Sequence, residues 1–265
     1  MPFKNSKGLR DVLAGLKNIK LPLYLAYSDI RQRYRRSSLG PFWITISMGV
    51  TIACIGLIFG NLFKTPMEEF LPFLSCGLIL WGLISSVINE ATVVFPNSQG
   101  IIRQLPLPLF IHIERMILRN FNIFLHNLIV LPFVYIFVGK SINANLLLFP
   151  FGLFILLVNL GWLSLCLSVI CARFRDLTQI VGSVLQILFY VTPIIWMPSL
   201  LPSRSSVILL EPNPFFHLIE IVRAPLLGTT PSLSNILWSL CYAILGWIFS
   251  IFFFNKYRDR VAFWL

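Results

Sequence analysis

Residues 29–43 read DIRQRYRRSSLGPFW. Arg31, Arg33, Arg35 and Arg36, with Tyr34 among them, crowd the middle of this stretch, and after Leu-Gly-Pro the charge stops: residues 42–63 contain no Asp, Glu, Lys or Arg. A charge-free stretch of that length crosses a hydrocarbon core of about 30 Å as a helix, which takes about 20 residues. The junction therefore joins a basic membrane-surface segment to a bilayer span. Just upstream, LPLYLAYSDI at 21–30 places Leu21, Leu25 and Ser28 on one helical face and Tyr24, Tyr27 and Arg31 on another. With aromatics suited to headgroup depth, it reads as an amphipathic interface helix lying flat on the membrane. The alternative is a stop-transfer flank, which needs only the positive charges.

The rest of the chain extends the membrane reading. Hydrophobic residues make up 57% and charged residues 12%, and mean hydropathy is +0.83, outside the range of soluble globular chains. Charge-poor windows of spanning length occur near 42–63, 70–88, 120–138, 146–171, 177–196 and 233–254. The expected fold class is an all-α integral membrane protein with six transmembrane helices. The opening residues, MPFKNSKGLRDVLAGLKNIK, have basic side chains but no apolar run and no small-residue cleavage site, so they do not form a signal peptide. They are expected to stay as a cytoplasmic tail. Residues 1–41 then form the tail and interface helix, and residues 42–265 a single six-span domain.

Six spans put both termini on one side. Of 21 Lys and Arg, only Lys64, Lys140, Arg204 and Arg223 fall on the opposite face. The positive-inside rule makes the crowded face cytoplasmic. The net charge of +11 is thus a topology signal, and a nucleic-acid partner loses its support.

Cys54, Cys76, Cys166, Cys171 and Cys241 lie within predicted spans with no CxxC pair, as small apolar packing residues do. His112, His126 and His217 are scattered without metal-ligand spacing, so no metal site is expected. The sequence contains no G-x-x-x-x-G-K-[ST], so any ATP that drives this chain must be bound elsewhere.

A docking surface for such a partner is read at 95–108, FPNSQGIIRQLPLP. Pro96 is expected to break the incoming helix, Ile101 and Ile102 give an apolar face, Arg103 a charge, and Pro106 and Pro108 a stop. A short surface helix is the favoured reading over an ordinary turn. In ARFRDL at 172–177, Asp176 is placed to cap the following helix. On the other side, VTPIIW at 191–196 is followed by Pro198, Pro202, Pro212 and Pro214 and then by FFHLIEIVRAPLLG. About 13 mostly apolar residues are too few to span. They suggest either short re-entrant helices before the last span or an amphipathic helix on the outer surface. Glu220 and Arg223, three apart, share a helical face and can neutralise each other.

Together, RYRRSSLGPFW, RFRDL, TPIIW, NPFFHLIEIVRAPLLG and the closing RDRVAFWL resemble the permease subunit of polysaccharide-exporting ABC transporters, the Wzm and KpsM type within the type-2 exporters. The likeness covers residues 20–265, five motifs in the same order between six spans. Relatives often carry paired basic residues in the first cytoplasmic loop, where this chain has Arg103 and Gln104. The resemblance implies a homodimer paired with two copies of a separate ABC ATPase, which holds ATP and Mg, so that this chain itself needs no cofactor. The implied activity is export of a lipid-linked polysaccharide such as an O-antigen across the inner membrane. By the same resemblance, the helix around 28–37 and the segment with Ser98, Gln99, Ile101, Ile102, Arg103 and Gln104 transmit the ATPase's movement. The region of Phe215, His217, Glu220 and Arg223 then forms an outer gate.

The chemistry is consistent with that cargo. Arg31, Arg33, Arg35 and Arg36 offer planar forks suited to the phosphates of a lipid headgroup. Sugars present C–H faces to aromatic rings, and Trp43, Phe59, Phe189, Tyr190 and Trp196 lie in the spans best placed to line a channel. Trp43 and Trp196 also sit where interfacial belts form. The competing readings are an exporter of capsule, teichoic acid, a drug or a small lipid; an integral membrane enzyme using Glu211, His217 and Glu220; and a secondary transporter. Against the last, only Glu90 and Glu114 come near the spans, at the inner boundary where solvation explains them.

Overall fold

The computed structural model describes residues 6–35, 40, 42–141, 143–202 and 208–265. Among them every regular element is helical. In chain order these are α1 (Lys7–Lys17), α2 (Lys20–Tyr34), α3 (Phe42–Phe63), α4 (Met67–Ala91), α5 (Val94–Asn97), α6 (Gln99–Gln104), α7 (Phe110–Leu128), α8 (Val130–Val138), α9 (Phe149–Arg173), α10 (Leu177–Val191), α11 (Pro214–Leu227) and α12 (Leu233–Trp264).

Among the described residues five segments are long and apolar enough to cross a membrane: Phe42–Phe63, Met67–Ala91, Phe110–Val138, Ala144–Arg173 and Leu233–Trp264. The window at 177–196 does not form a sixth such helix. Its helix ends at Val191 after 15 residues, about 22 Å at a rise of 1.5 Å per residue. The cause is local: Pro193 disfavours helical backbone in the residue before it, and Thr192 turns extended with ψ 136°. The third span is also interrupted. It breaks at Ile129 between α7 and α8, because Pro132 leaves the carbonyl of Leu128 without a helical partner.

Helix α4 is the hub of the bundle, with Phe70, Leu74, Cys76, Leu80, Ile84 and Val87 fully buried. Around it pack α3, α7, α8, α9, α10 and α11. Close approach depends on missing side chains. A Cβ on Gly152 of α9 would lie 2.2 Å from the carbonyl oxygen of Ile221 in α11, and one on Gly246 of α12 would lie 2.2 Å from the Trp162 ring of α9. Cys76, Cys166 and Cys171 are buried as packing residues, whereas Cys54 and Cys241 are exposed on helix surfaces.

The stretch expected as a tail contains a packed helix. Ser6 accepts the Leu9 N–H as N-cap of α1 at 3.1 Å. Buried Asp11 then accepts the Phe110 N–H at the start of α7, 3.0 Å, and Arg258 Nε of α12, 2.8 Å. α12 runs on past 254 to Trp264, so Lys256, Arg258 and Arg260 belong to the helix itself.

Three of the apolar helices carry long bare faces: α12 buries little beyond Ser239, Ala243, Gly246, Ser250, Phe254 and Val261, and α3 and α10 are barer still. On α3 only Ile52, Gly56 and Gly60 are buried, and on α10 only Leu185.

Candidate functional site

At the basic end, α2 lies along α7 with Pro22, Ala26 and Ile30 buried. The buried line is therefore one residue away from the face expected from Leu21, Leu25 and Ser28, which are half-buried. Tyr24 and Tyr27 point outward, 71% and 65% exposed. Arg31, Arg33 and Arg35 are exposed and Tyr34 is half-buried; Arg36 lies outside the described residues.

The contact is pinned by charges that amphipathicity did not reveal. Asp29 accepts Arg115 Nε at 2.8 Å and Nη2 at 2.5 Å, and Arg119 Nη1 at 2.9 Å. Arg119 also pairs with Glu90 of α4, whose carboxylate accepts the Asn120 amide at 2.8 Å. Burial by itself would raise the Asp29 carboxyl, but the two guanidiniums outweigh it and hold the group below its ordinary 3.8. Solvation does not explain the two glutamates at this boundary: Glu90 is ion-paired, and Glu114 is 5% exposed with neither carboxylate oxygen partnered. Beside them His112 is 2% exposed, with both ring nitrogens unpartnered.

The chain then turns at Thr92 and Val93, so Pro96 sits inside α5 and is not the break. Ser98 lies in the bend between α5 and α6, and its carbonyl accepts the N–H groups of Ile101 and Ile102 at 3.0 Å. Nothing in α6 is buried: Gln99, Ile101 and Ile102 are half-covered, Arg103 and Gln104 exposed. It is a superficial helix that touches α5 and α12, with Ile102 packed against the core and Arg103 and Gln104 facing out. Nearby, Arg173 stacks on Phe174 and Trp264, 5.1 and 5.4 Å from the ring centres, joining the loop before α10 to the end of α12. Asp176 occupies the N-cap position of α10 but its side chain accepts no capping hydrogen bond.

At the opposite end α11 is buried along most of its length, clasped by α4, α9 and α12. It does not rest on the surface. Asn213 caps it, accepting the N–H groups of Phe215 and Phe216 at 3.0 and 3.3 Å. Arg223, fully buried, pairs with Glu220, donates Nη1 to the Pro193 carbonyl at 2.6 Å and stacks 3.9 Å from the Phe73 ring centre. His217 is buried, its ring nitrogens 2.8 Å from Asn235 Oδ1 and 2.9 Å from the Glu211 carbonyl. Glu211 thus contributes backbone and Glu220 faces an arginine, so Glu211, His217 and Glu220 do not converge as an acid-base set.

The five expected channel aromatics fall into two groups. Phe189 lies 5.3 Å from Tyr190 and 6.0 Å from Trp81, which meets Phe215 at 5.8 Å. Trp196 joins this group by donating Nε1 to the Tyr190 carbonyl, 3.0 Å. Phe59 packs instead on Phe63 within α3, at 5.5 Å, and Trp43 is 59% exposed at the start of that helix. Sequence reading missed what lies between them. Gln179, Ser183, Gln186 and Tyr190 are all exposed on α10 at spacings of four, three and four, one helical face. On α3, Ser47, Thr51, Cys54 and Asn61 are likewise exposed. A test for polar residues at helical spacing could have found these stripes in the sequence.

Known proteins resemble this chain in sequence. A family model described as ABC-2 type transporter matches residues 23–227. An O-antigen export system permease protein RfbA of Myxococcus xanthus is 24% identical over 77% of this chain and 79% of its own length. Two Klebsiella pneumoniae proteins of the same name are 22% and 24% identical, each alignment covering 91% of this chain and 93% of the relative. Matched over 23–227 of its 265 residues, with apolar helices packed around a buried hub, the chain belongs to the ABC-2 type transporter family.

Proposed function

We propose that this chain is the membrane subunit of an ATP-driven exporter of an O-antigen-like, lipid-linked polysaccharide, with ATP and Mg bound by a separate ATPase. The observation that carries the reading is the pair of stripes on α3 and α10: polar, uncharged and exposed on otherwise apolar helices. Hydroxyls and amides there can exchange hydrogen bonds with a sliding glycan, and no fixed charge is present to hold it. The relatives named O-antigen export permeases support the cargo class.

Two copies of the chain, meeting along the uncovered faces of α3 and α10, enclose the path. Trp43, Phe59, Phe189, Tyr190 and Trp196 supply sugar-stacking surfaces within it. In this reading α10 and residues 192–196 together make the sixth crossing, and α11 is a re-entrant leg covered by protein, as non-helical backbone at membrane depth requires. Phe215, His217, Glu220 and Arg223 then brace the outer gate. Both termini and the 1–41 segment face the cytoplasm at the inner membrane, and 42–265 is the permease domain. The surface segment with Ser98, Gln99, Ile101, Ile102, Arg103 and Gln104 receives the motion of two ATPase copies, and Arg31, Arg33, Tyr34, Arg35 and Arg36 meet the lipid headgroup.

Purification of the tagged protein from native membranes in mild detergent tests this. A stoichiometric partner carrying a P-loop supports the reading; its repeated absence beside intact protein overturns it.

A further inference from the structure

The polar cavity between α2, α5 and α7 gathers His112, Arg115 and Arg119, which have no role above, beside Arg33 and Ser98, which do. It holds about 300 Å³ and is walled by Arg33, Asn97, Ser98, His112, Arg115 and Arg119. Its hydrogen-bond inventory is lopsided. Arg115 places Nε and Nη2 on Asp29, and among the described residues Nη1 has no hydrogen-bond acceptor. Arg119 places Nη1 on Asp29 and Nη2 on Glu90, while its buried Nε has no partner. Among the described residues Arg33 makes no ion pair. His112, almost fully buried, leaves both ring nitrogens unpartnered. Glu90, the one carboxylate on the cavity wall, is already engaged by Arg119 and Asn120. Asp29 completes the local charge, three guanidiniums against two carboxylates.

Buried donors without acceptors are costly and uncommon in folded proteins. Here they converge on a space of about ten liquid-water volumes, at roughly 30 Å³ each, ample for one or two phosphate groups. Guanidinium forks match phosphate oxygens in geometry and charge. A wall of donors with one cation in excess does not suit a metal ion.

We infer that this cavity binds the phosphate or diphosphate group of an anionic ligand, with His112, Arg33, Arg115 and Arg119 as its donors. The group is carried either by a lipid, which rests on the function proposed above, or by a free phosphate, which does not.

The test uses full-length protein purified in mild detergent, with radiolabelled inorganic pyrophosphate as probe and sulfate as control. Saturable binding is expected that sulfate does not displace. His112→Leu and Arg33→Ala are expected to weaken it by about tenfold or more, the loss of one charge-assisted or buried hydrogen bond, while keeping the parent's melting temperature. Should His112→Leu fail to fold, the exposed Arg33→Ala carries the comparison. Farnesyl diphosphate displacing the label at far lower concentration than pyrophosphate assigns the site to a lipid headgroup; equal displacement assigns it to free phosphate. No saturable binding, or equal binding by the folded variants, overturns the inference. Co-purification of an ATPase in the same preparation separates this failure from failure of the proposed function.

Discussion

Arg223 sits on no helix end and no surface, yet three groups converge on it: the Glu220 carboxylate, the Pro193 carbonyl and the face of Phe73. The Pro193 carbonyl belongs to backbone that has left α10, so the guanidinium satisfies an acceptor that no helix serves. Replacing Arg223 with Met leaves that acceptor and Glu220 without a partner, at a cost on the order of 3 kcal/mol. A melting curve in detergent should fall accordingly. Arg223→Lys should not restore it, because one ammonium cannot fork to Glu220, reach Pro193 and stack on Phe73 together. Asp29 makes a pH prediction. Its carboxyl is held below 3.8, and a lowered carboxylate contributes stability that is full above its unfolded value and lost as pH falls through its folded one. Asp29→Asn should therefore lower thermal stability at neutral pH and flatten its decline below pH 3.8. A wild-type-like acid decline in the variant would contradict the assignment.

Among the elements, legibility followed length and charge. The spans at 42–63, 70–88 and 146–171 lie within observed helices to within a few residues, because nothing but a helix hides that much backbone from lipid. In the window at 177–196 the helix stops at Val191, a break that hydropathy does not see because it comes from Pro193 unwinding Thr192. The dipeptide was in plain view, and its backbone consequence is general. Packing of α1 was not legible at all, since Asp11 is buried only because α7 and α12 offer a backbone N–H and a guanidinium. His112 and Glu114 were obscured for the same reason. The polar face of α10 is legible in the sequence, as Gln179, Ser183, Gln186 and Tyr190 at helical spacing. It gives an element-scale prediction: Gln186→Leu and Tyr190→Ala should each reduce surface glycan at unchanged protein level and unchanged partner recovery, since both side chains are exposed. Full glycan in both variants would remove α10 from the path. Gly152→Val tests the α9–α11 contact. With a Cβ 2.2 Å from the Ile221 carbonyl, it should abolish recovery of monodisperse protein, whereas substitution at Gly49, whose Cβ meets nothing within 4 Å, should leave recovery near the parent's.

Across the whole molecule burial is uneven. α4, α9, α11 and α12 interlock through buried contacts, while α3 and α10 flank the hub with most of their surfaces bare. α1 and α2 tie the amino end to the same bundle through Asp11 and Asp29, and ion pairs run from α2 through α7 to Glu90 of α4. Bare helices with polar stripes are what an assembly needs if two copies must enclose a wet path in lipid. The central claim, passage of a lipid-linked glycan, is tested most directly by depleting the protein in living cells and locating that glycan. The account requires lipid-linked polysaccharide to accumulate on the cytoplasmic side as surface glycan falls, with both reversed on re-expression. Surface glycan that persists undiminished after the protein is gone would contradict it.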